Sequence, residues 1–300
     1  MKYVLFGASK SGREALEYYG DEVVYFVDNF KKEKEFCGKK VLSLDEYMEL
    51  PERPHIIITS HKHAVIKKQL LEREITDFEI FFKLYEHSDV PIMRVMTSDN
   101  WVNEARRLFN REGCEILEVG SRVVTGQKHR NLCEKANYTG FDLYEGENVD
   151  VAGDAHRLSE YFDKKFDFIF SLAVFEHLAM PWVVAEEMIK LLKPGGYIYV
   201  ATHYAFSSHE RPWHFFQFSE QALKCLFPKA AGIECIEAGC ADPIKGEFSE
   251  NSHPTLRGGI VPGLYTFSMF FGKKVKEVEN FDWRNVNYYE TLGMYPPKKD

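Results

Sequence analysis

The chain has 300 residues, of which 45% are hydrophobic and 28% are charged, and this composition excludes a disordered or collagen-like protein. At roughly 150 residues per domain, the length predicts two domains. The net charge of −8 argues against a nucleic-acid partner and favours a small-molecule or glycan substrate.

The sequence contains neither an apolar run of about 18 residues nor the charged and then apolar pattern of a signal peptide. We therefore expect a cytoplasmic protein without a membrane span. The six cysteines form no C-x-x-C pair and show no zinc-like spacing, so we expect reduced thiols and assign no disulfide and no metal. The sequence leaves open whether the protein forms a homodimer.

Residues 1–88 alternate between strand and helix patterns, which predicts a small Rossmann-like α/β domain. The first strand is KYVLFG, the amphipathic helix is REALEYY, and the second strand is VVYFVD; HIIITS and FEIFF are later strands. Backbone amides in the turn between the first strand and the helix could hold a phosphate. The predicted nucleotide-binding residues are Gly7, Ser9 and Gly12 in this turn, and Asp28, which ends the second strand and could bind a ribose.

This first domain resembles the nucleotide-sugar-binding unit that precedes the catalytic domain in some bacterial sugar acyltransferases. The resemblance implies a nucleotide ligand at the glycine turn. The turn is neither a full dinucleotide fingerprint nor a P-loop, and such turns are often only tight connections. Ligand binding and a purely structural turn are both open interpretations.

A second domain is predicted over residues 98–300, after a segment without a clean period that contains Pro91. It begins with the amphipathic helix WVNEARRLF. The strand patterns EILEVG, TGFDL, FDFIFS and YIYVATH then alternate with helical patterns at RNLCEKA, near Leu158 and at PWVVAEEMIKLLK. A helix at SEQALKCLF and two strands at IECIEA and LYTFSMFF follow. This alternation predicts a parallel sheet with helices on both faces.

Acidic and small residues end the strands of the second domain, where open parallel sheets bind their ligands. Glu118 and Gly120 end the first strand, Asp142 ends the second, Asp154 follows the third, and Ser171 ends the fourth. A carboxylate at the end of the second strand can accept both hydroxyls of a ribose. Asp142 follows Glu118 by about the 20 residues of one strand–helix–strand step, so we expect a cofactor that carries adenosine.

Five segments of the second domain resemble the class I S-adenosylmethionine-dependent methyltransferases in their order and spacing: EILEVGSR, GFDL, GDAHRL, FDFIFSLAVFEHL and LLKPGGYIYV. The resemblance implies a seven-stranded sheet with helices on both faces and S-adenosylmethionine as cofactor. It implies that Glu118 holds the methionine amino group and that Gly120 lets the chain approach the cofactor. It also implies that Asp142 binds the ribose and Asp154 the adenine amino group. The full implied set is Glu118, Gly120, Ser121, Arg122, Asp142, Leu143, Asp154, Ala155, Ser171 and Leu172.

The loop after the first strand departs from the family pattern. Ser121 and Arg122 follow Gly120 where the family usually has further glycines. Arg122 either contacts the methionine carboxylate or closes part of the pocket. The alternative to cofactor binding is a Rossmann-like sheet whose acidic strand ends are incidental.

Methyl transfer to a hydroxyl needs a group that takes the proton, and histidine is the usual side chain for this. The catalytic candidates are His177 after the fourth strand, His203 after the fifth, and His209 in the next loop. Each could instead be a hydrogen-bonded structural group. His203, His209, His214 and Glu210 could also ligate a divalent metal, but their spacing is irregular and no metal site is assigned.

The segment HYAFSSHERPWHFFQFS resembles an aromatic stretch in bacterial methyltransferases associated with surface-polysaccharide genes. Aromatic rings offer flat apolar faces to sugar C–H groups. The predicted substrate-binding residues are Arg211, Trp213 and His214, with Arg211 as a clamp for a phosphate or carboxylate. Trp213, Phe216 and Phe218 could equally pack beneath the loop.

Together these patterns predict a methyltransferase that moves a methyl group from S-adenosylmethionine to a hydroxyl of a sugar, nucleotide-sugar or glycan, that is, an O-methyltransferase of polysaccharide biosynthesis. One alternative is an NAD-dependent sugar-nucleotide oxidoreductase or epimerase, but the sequence lacks the G-x-G-x-x-G motif that such an enzyme would need. The other alternative is a non-catalytic methyltransferase-like binding module, and Arg122 is the feature that favours it.

Overall fold

The computed structural model describes residues 1–86, 89–124 and 126–293, which form two compact units. The first unit comprises Met1–Asp89 and Pro243–Leu264, and the second comprises Val90–Asp242 and Tyr265–Asp300. The predicted division at residues 88 and 98 placed Pro243–Leu264 in the second domain, whereas the structure groups this segment with the first unit. That segment has no hydrophobic period of its own, so the sequence did not indicate where it packs.

A six-stranded sheet forms the centre of the first unit, in the order β3-β4-β2-β1-β5-β6. All its paired strands run parallel except β3 and β4. The strands are β1 (Tyr3–Phe6), β2 (Val23–Val27), β3 (Glu35–Phe36), β4 (Lys39–Leu42), β5 (His55–Ile58) and β6 (Phe78–Ile80). The helices are α1 (Lys10–Tyr19), α2 (Leu44–Met48) and α3 (His63–Leu71).

The central strands of this unit form because they are apolar on both faces. Ile56, Ile57 and Ile58 in β5 are all buried, as expected for a parallel strand covered on two sides. Helix α1 begins after Ser9, whose hydroxyl accepts from the Gly12 amide, and it ends at Gly20 with a φ of 57°. The chain therefore turns sharply from β1 into α1, as the sequence predicted.

The second unit contains the predicted seven-stranded sheet with helices around it, in the order β12-β13-β11-β10-β7-β8-β9. Its strands are β7 (Glu115–Val119), β8 (Asn137–Asp142), β9 (Val151–Ala152), β10 (Phe166–Leu172), β11 (Leu192–His203), β12 (Ile233–Glu247) and β13 (Ile260–Lys274), where the end of β12 from Pro243 onwards and the start of β13 up to Leu264 belong to the first unit. Its helices are α4 (Trp101–Phe109), α5 (Pro181–Leu191), α6 (Glu220–Leu226) and α7 (Tyr288–Leu292). Within the described ranges, no helix has the length and apolar character that crossing a bilayer requires.

Alternation along the strands of the second unit builds two cores, one on each face of the sheet. Leu117 and Ile169 share a cluster with Met188 of α5. Ile116 and Phe168 face the other way, and the Phe168 ring stacks on Phe109 of α4 at 4.2 Å between centroids. Helices therefore cover both faces, which leaves the edge where β7, β8 and β10 end as the place for a ligand.

The predicted helix at RNLCEKA is wrong, because this segment is a series of turns. Its backbone groups bond to α4 and the residues after it instead of forming a helix of their own. Arg106 donates to the Leu132 carbonyl at 2.9 Å, and the Lys135 amide donates to the Asn110 side chain at 2.9 Å. These long-range bonds outweigh the helical pattern of a segment of only seven residues.

Candidate functional site

The ends of β7, β8 and β10 bring the predicted cofactor residues to one edge of the sheet. Parallel pairing aligns Val119 of β7 with Phe141 of β8 and with Ser171 of β10. Glu118 in β7 and Gly120 directly after it therefore lie close to Asp142, which ends the neighbouring strand β8. This is the edge at which doubly wound sheets bind their ligands.

Glu118 is held from inside the protein by three donors. Its carboxylate is 2.8 Å from Nδ1 of His129, 3.4 Å from the Asn148 amide nitrogen, and in a short hydrogen bond with the Tyr138 hydroxyl. Burial, together with the Glu118 charge, raises the pKa of Tyr138 well above its usual value, so the phenol stays a donor. The sequence did not indicate these three partners, because nothing in their spacing marks them. Glu118 thus fixes the loop after β7.

Gly120 allows two loops to pass close together. It has a φ of 88°, and a Cβ at this position would lie 2.1 Å from Cγ2 of Val174 in the loop after β10. The amides of Gly120 and Ser121 both donate to the Phe141 carbonyl, at 2.8 and 3.0 Å. Ser121 is buried behind them. Only glycine combines this backbone conformation with this approach, which is what a cofactor loop requires.

Arg122 closes on the carboxylate that was predicted to bind a ribose. Its amide donates to Asp142 Oδ2 at 3.1 Å, and its guanidinium Nε lies 3.4 Å from Oδ1. The Tyr144 amide donates to Oδ1 at 3.2 Å. Arg122 was predicted either to contact a methionine carboxylate or to close part of the pocket. The observed contacts with Asp142 correspond to closure of the pocket.

Replacing Arg122 by alanine is expected to tighten binding of S-adenosylhomocysteine by up to about fivefold, because a partly exposed ion pair contributes only about 0–1 kcal/mol. The side chain would no longer compete with ribose hydroxyls for Asp142. Isothermal calorimetry would measure this, with Arg107→Ala, which removes an exposed ion pair with Glu104, as control. Tenfold weaker binding would instead assign Arg122 to the cofactor carboxylate.

The segment that was predicted to bind the adenine follows β9. Asp154 caps a short 3-10 helix, Ala155–Tyr161, and its carboxylate accepts from the amide and Nδ1 of His156 at 3.0 and 2.6 Å. Burial raises the pKa of Asp154, but the two bonds from His156 outweigh it and lower the pKa. Ala155 follows this carboxylate, and Leu143 is half exposed after β8.

Ser171 and Leu172 have their side chains inside the protein. The Ser171 hydroxyl donates to the Val119 carbonyl at 2.8 Å and is fully buried, and Leu172 packs against the cluster that contains Trp101. These side chains position the end of β10. Any contact from them to a cofactor would therefore come from the backbone.

Four histidines predicted from separate segments come together after β10 and β11. The His209 ring is 4.8 Å from the His177 ring, 5.1 Å from the His203 ring and 4.7 Å from the His214 ring, between centroids. Nδ1 of His177 lies 2.7 Å from the Trp213 carbonyl. A carbonyl only accepts, so Nδ1 carries the hydrogen and Nε2 of the neutral ring keeps a lone pair, 3.9 Å from the Glu210 carboxylate.

Glu176 lies beneath these histidines, and the sequence analysis missed it. It is fully buried; Oε2 accepts from the Thr202 hydroxyl at 2.6 Å, and Oε1 lies 2.9 Å from Nδ1 of His203. Burial raises the pKa of Glu176, but His203 and the Thr202 hydroxyl outweigh it and lower the pKa. A buried glutamate beside a histidine is a strong indication of function, and the adjacent Glu-His pair in FEHL was its only sign in the sequence.

The aromatic loop between β11 and α6 is anchored at its second half. The amides of Phe215 and Phe216 donate to the Glu176 carbonyl at 2.8 and 3.2 Å, and the Phe218 amide donates to the His203 carbonyl at 2.8 Å. Phe218 packs inside, as one interpretation of the sequence had it, whereas Trp213 is 56% exposed. Arg211 is also exposed. The loop therefore presents Trp213 and Arg211 to solvent.

The glycine turn of the first unit is shaped by Asp28. The Asp28 carboxylate accepts from the amides of Ala8, Phe30 and Lys31 at 3.1, 2.9 and 3.1 Å. Ser9 bonds to the Thr59 carbonyl at 3.3 Å. A Cβ on Gly12 would lie 2.2 Å from the Gly7 carbonyl oxygen, so the turn requires glycine there. The Asp28 carboxylate, which was predicted to bind a ribose, thus forms hydrogen bonds with the backbone of the turn instead.

Comparison with known proteins identifies the domain at this edge. Residues 114–200 match the family model described as a methyltransferase domain. The second unit therefore contains a segment similar to methyltransferase domains, in agreement with the predicted class of S-adenosylmethionine-dependent methyltransferases.

Solved structures similar to this chain include two that are described as putative methyltransferases. The putative methyltransferase of Haloferax volcanii in complex with its activator Trm112 is 19% identical, with a TM-score of 0.41, over 60% of this chain and 91% of that one. A putative methyltransferase of Bacillus halodurans C-125 is 15% identical, with a TM-score of 0.43, over 59% of this chain and 98% of that one. No curated protein sequence matches the chain.

The predicted cofactor, S-adenosylmethionine, is that of this domain class. One observation at the edge fits such a ligand: the Asp142 carboxylate ends β8, where a ribose is bound in related folds. Gly120 permits the close approach of the loop that carries Val174, which a Cβ would block.

Proposed function

We propose that the chain transfers the methyl group of S-adenosylmethionine to a hydroxyl of a sugar, nucleotide-sugar or glycan. The observation that carries this proposal is the group of four histidines after β10 and β11, beside the edge where β7 and β8 end. A hydroxyl loses its proton on methylation, whereas many other acceptors do not need a base. A site rich in histidine suits a hydroxyl.

The donor side of the proposed site consists of the residues at the ends of β7, β8 and β9. S-adenosylmethionine supplies an electrophilic methyl group when bound. Asp142 would accept from the ribose hydroxyls in place of Arg122, and Asp154 would accept from the adenine amino group. Gly120 would let the loop backbone lie close to the ligand, and Glu118, with Ser121, would hold that loop in place. Ser171 and Leu172 end β10 at the methionine side.

On the acceptor side, the chain orients the hydroxyl, excludes water and takes the proton. His177 is suited to the last task, because its Nδ1 donates to the Trp213 carbonyl and its Nε2 keeps a lone pair, with the Glu210 carboxylate 3.9 Å away to stabilise the protonated ring. His203 and His209 are the other candidates. The in-line displacement itself requires only alignment of the nucleophile, the methyl carbon and the sulfur, so these groups act on the proton alone.

The exposed side chains of the aromatic loop suit a sugar that carries a phosphate or carboxylate. Trp213 offers a flat face to C–H groups. Arg211 is exposed and makes no ion pair with the described residues, so its guanidinium is available to an anionic group. His214 lies between them and His209. Within the first unit, the turn Gly7–Gly12 provides helix amides for the phosphate of a nucleotide.

A methyl-transfer assay tests the proposal. The intact chain is supplied with isotope-labelled S-adenosylmethionine and a panel of sugars, nucleotide sugars, oligosaccharides and amines, and products are identified by mass spectrometry. We expect label on a hydroxyl oxygen of a sugar. Label found only on nitrogen or sulfur acceptors would contradict the proposed substrate class.

In the same assay His177→Ala and His203→Ala are each expected to lower kcat by about 100-fold or more, the usual contribution of a general base. Affinity for S-adenosylhomocysteine should stay within about twofold, because neither side chain lies at the ends of β7 or β8. His253→Ala, an exposed histidine of the first unit, serves as control. Full turnover in both variants would remove histidine base catalysis.

The ion pair between Arg122 and Asp142 favours a second candidate, a non-catalytic binding module. In such a module Arg122 would permanently occupy the ribose carboxylate. Absence of S-adenosylhomocysteine binding by the wild type, together with its appearance in Arg122→Ala, would support this candidate.

A further inference from the structure

Three side chains at the acceptor end bring metal-ligand atoms together. Glu176, His203 and His209 each place one nitrogen or oxygen ligand atom within 4.8 Å of the others. We propose that these three residues bind one divalent transition-metal ion of the zinc type. From the sequence we considered His203, His209, His214 and Glu210 as ligands and assigned no metal site; the cluster in the structure contains the buried Glu176 in place of His214 and Glu210.

Glu176 and His203 provide the main observation. Both are more than nine-tenths buried, and Oε1 of Glu176 lies 2.9 Å from Nδ1 of His203 without the angles of a well-formed hydrogen bond. Buried polar atoms in natural proteins usually have well-formed partners, so this pair has room for a better one. In a tetrahedral site, bonds of about 2.0–2.2 Å place neighbouring ligand atoms about 3.3–3.6 Å apart. The two atoms would therefore have to separate by about 0.5 Å to hold one ion.

The surrounding hydrogen bonds leave the proposed ligand atoms free. The Thr202 hydroxyl occupies Oε2 of Glu176, which leaves Oε1 for an ion. Nδ1 of His209 lies 2.9 Å from the Ser207 carbonyl, so Nδ1 carries the hydrogen and Nε2 keeps its lone pair. Metal-binding histidines usually donate their second nitrogen to a carbonyl or carboxylate in this way.

His214 is excluded as a ligand by its own hydrogen bond. Its Nδ1 accepts from the His209 amide at 3.2 Å, so Nε2 carries the hydrogen in the neutral ring. His214 instead positions the backbone of His209. His209 lies in the loop after β11 and is only partly buried, so its ring can move the distance of about 1 Å that three bonds of about 2.1 Å require.

Two imidazoles and one carboxylate favour zinc, cobalt or manganese over calcium or magnesium, which prefer an all-oxygen site. Three protein ligands leave a coordination position open, as in catalytic zinc sites. If the proposed function holds, an acceptor hydroxyl takes that position, and the ion makes its proton easier to remove. This role rests on the proposed function, whereas binding of the ion does not.

Binding is tested on the intact chain without any methyl acceptor. Protein stripped with a chelator is titrated with Zn²⁺ by calorimetry and with Co²⁺ by visible absorption. We expect one ion per chain in the wild type. His209→Ala should weaken the affinity by about 100-fold or more, because even the outer partners of metal ligands cost about 10–100-fold. His253→Ala should bind as the wild type does.

Glu176→Gln is the second variant, since glutamine keeps the volume and can still accept from Thr202. It should also lose the ion while circular dichroism shows an unchanged fold. Equal affinity and stoichiometry in the wild type and His209→Ala would overturn the site, because exposed thiols such as Cys37 would then be the ligands.

Failure of the site and failure of the proposed function give different results. S-adenosylhomocysteine binding is measured on the same stripped samples and should not change. If the ion binds as expected but the rate of methyl transfer is equal with and without it, the site stands and its role at the acceptor is overturned.

Discussion

Asp142→Ala is expected to weaken binding of S-adenosylhomocysteine by about 100-fold or more. Each hydrogen bond to a charged group contributes about 1.5–3 kcal/mol, and a ribose offers Asp142 two hydroxyls. At about 1.4 kcal/mol per factor of ten, the loss of both bonds exceeds the small gain from freeing Arg122. Isothermal calorimetry on the intact chain measures the change directly.

Two further variants make the Asp142 result specific. Asp142→Asn keeps the shape but loses the charge, so its effect should fall between those of the wild type and the alanine variant. Asp163→Ala removes an exposed carboxylate elsewhere in the second unit and should change nothing. Unchanged affinity in Asp142→Ala would mean that the ends of β7 and β8 do not bind the adenosyl ligand.

Gly120→Ala is expected to lower the free energy of unfolding by about 2–4 kcal/mol and to abolish cofactor binding. Two costs add. Alanine at a φ of 88° is strained, and its methyl group would overlap Cγ2 of Val174 at 2.1 Å, so one loop must shift. Urea unfolding followed by circular dichroism gives the stability, and calorimetry gives the binding.

Gly113→Ala separates those two costs. Gly113 has a φ of 71°, but nothing lies within 4 Å of its Cβ position, so only the backbone strain of about 1 kcal/mol applies. We expect the Gly120 variant to be clearly less stable than the Gly113 variant. An equal loss of unfolding free energy in the two variants would show that the loop carrying Val174 moves at little cost. Its close approach to Gly120 would then not limit which residue is tolerated there.

The sheet of the second unit could be predicted because its strands alternate apolar residues on both faces. Ile116 and Leu117 face opposite cores, and the same alternation recurs at Phe168 and Ile169. Pro181 at the start of α5 marked a helix boundary that the structure confirms. Local patterns of this kind need no knowledge of distant partners.

The acceptor end could be predicted only in part, since its chemistry depends on contacts between distant segments. The histidines could be recognised by residue type, whereas the role of Glu176 depends on its contacts with Thr202 and His203 in another strand. The same holds for Asp142, where the pairing with Arg122 could not be read from the sequence. The catalytic and binding roles of the site residues stay predictions.

The chain passes between its two units three times, because Pro243–Leu264 belongs to the first and its flanking residues to the second. Within the first unit, the Gly258 carbonyl lies 2.8 Å from Nε2 of His63, Lys67 pairs with Glu247, and Ile260 packs against the cluster around Leu5. A fragment cut at residue 88 would therefore expose apolar surface and lose these partners. These contacts can form only after Pro243–Leu264 has been synthesised, so the last packing step of the first unit joins residues far apart in the chain and has a high contact order.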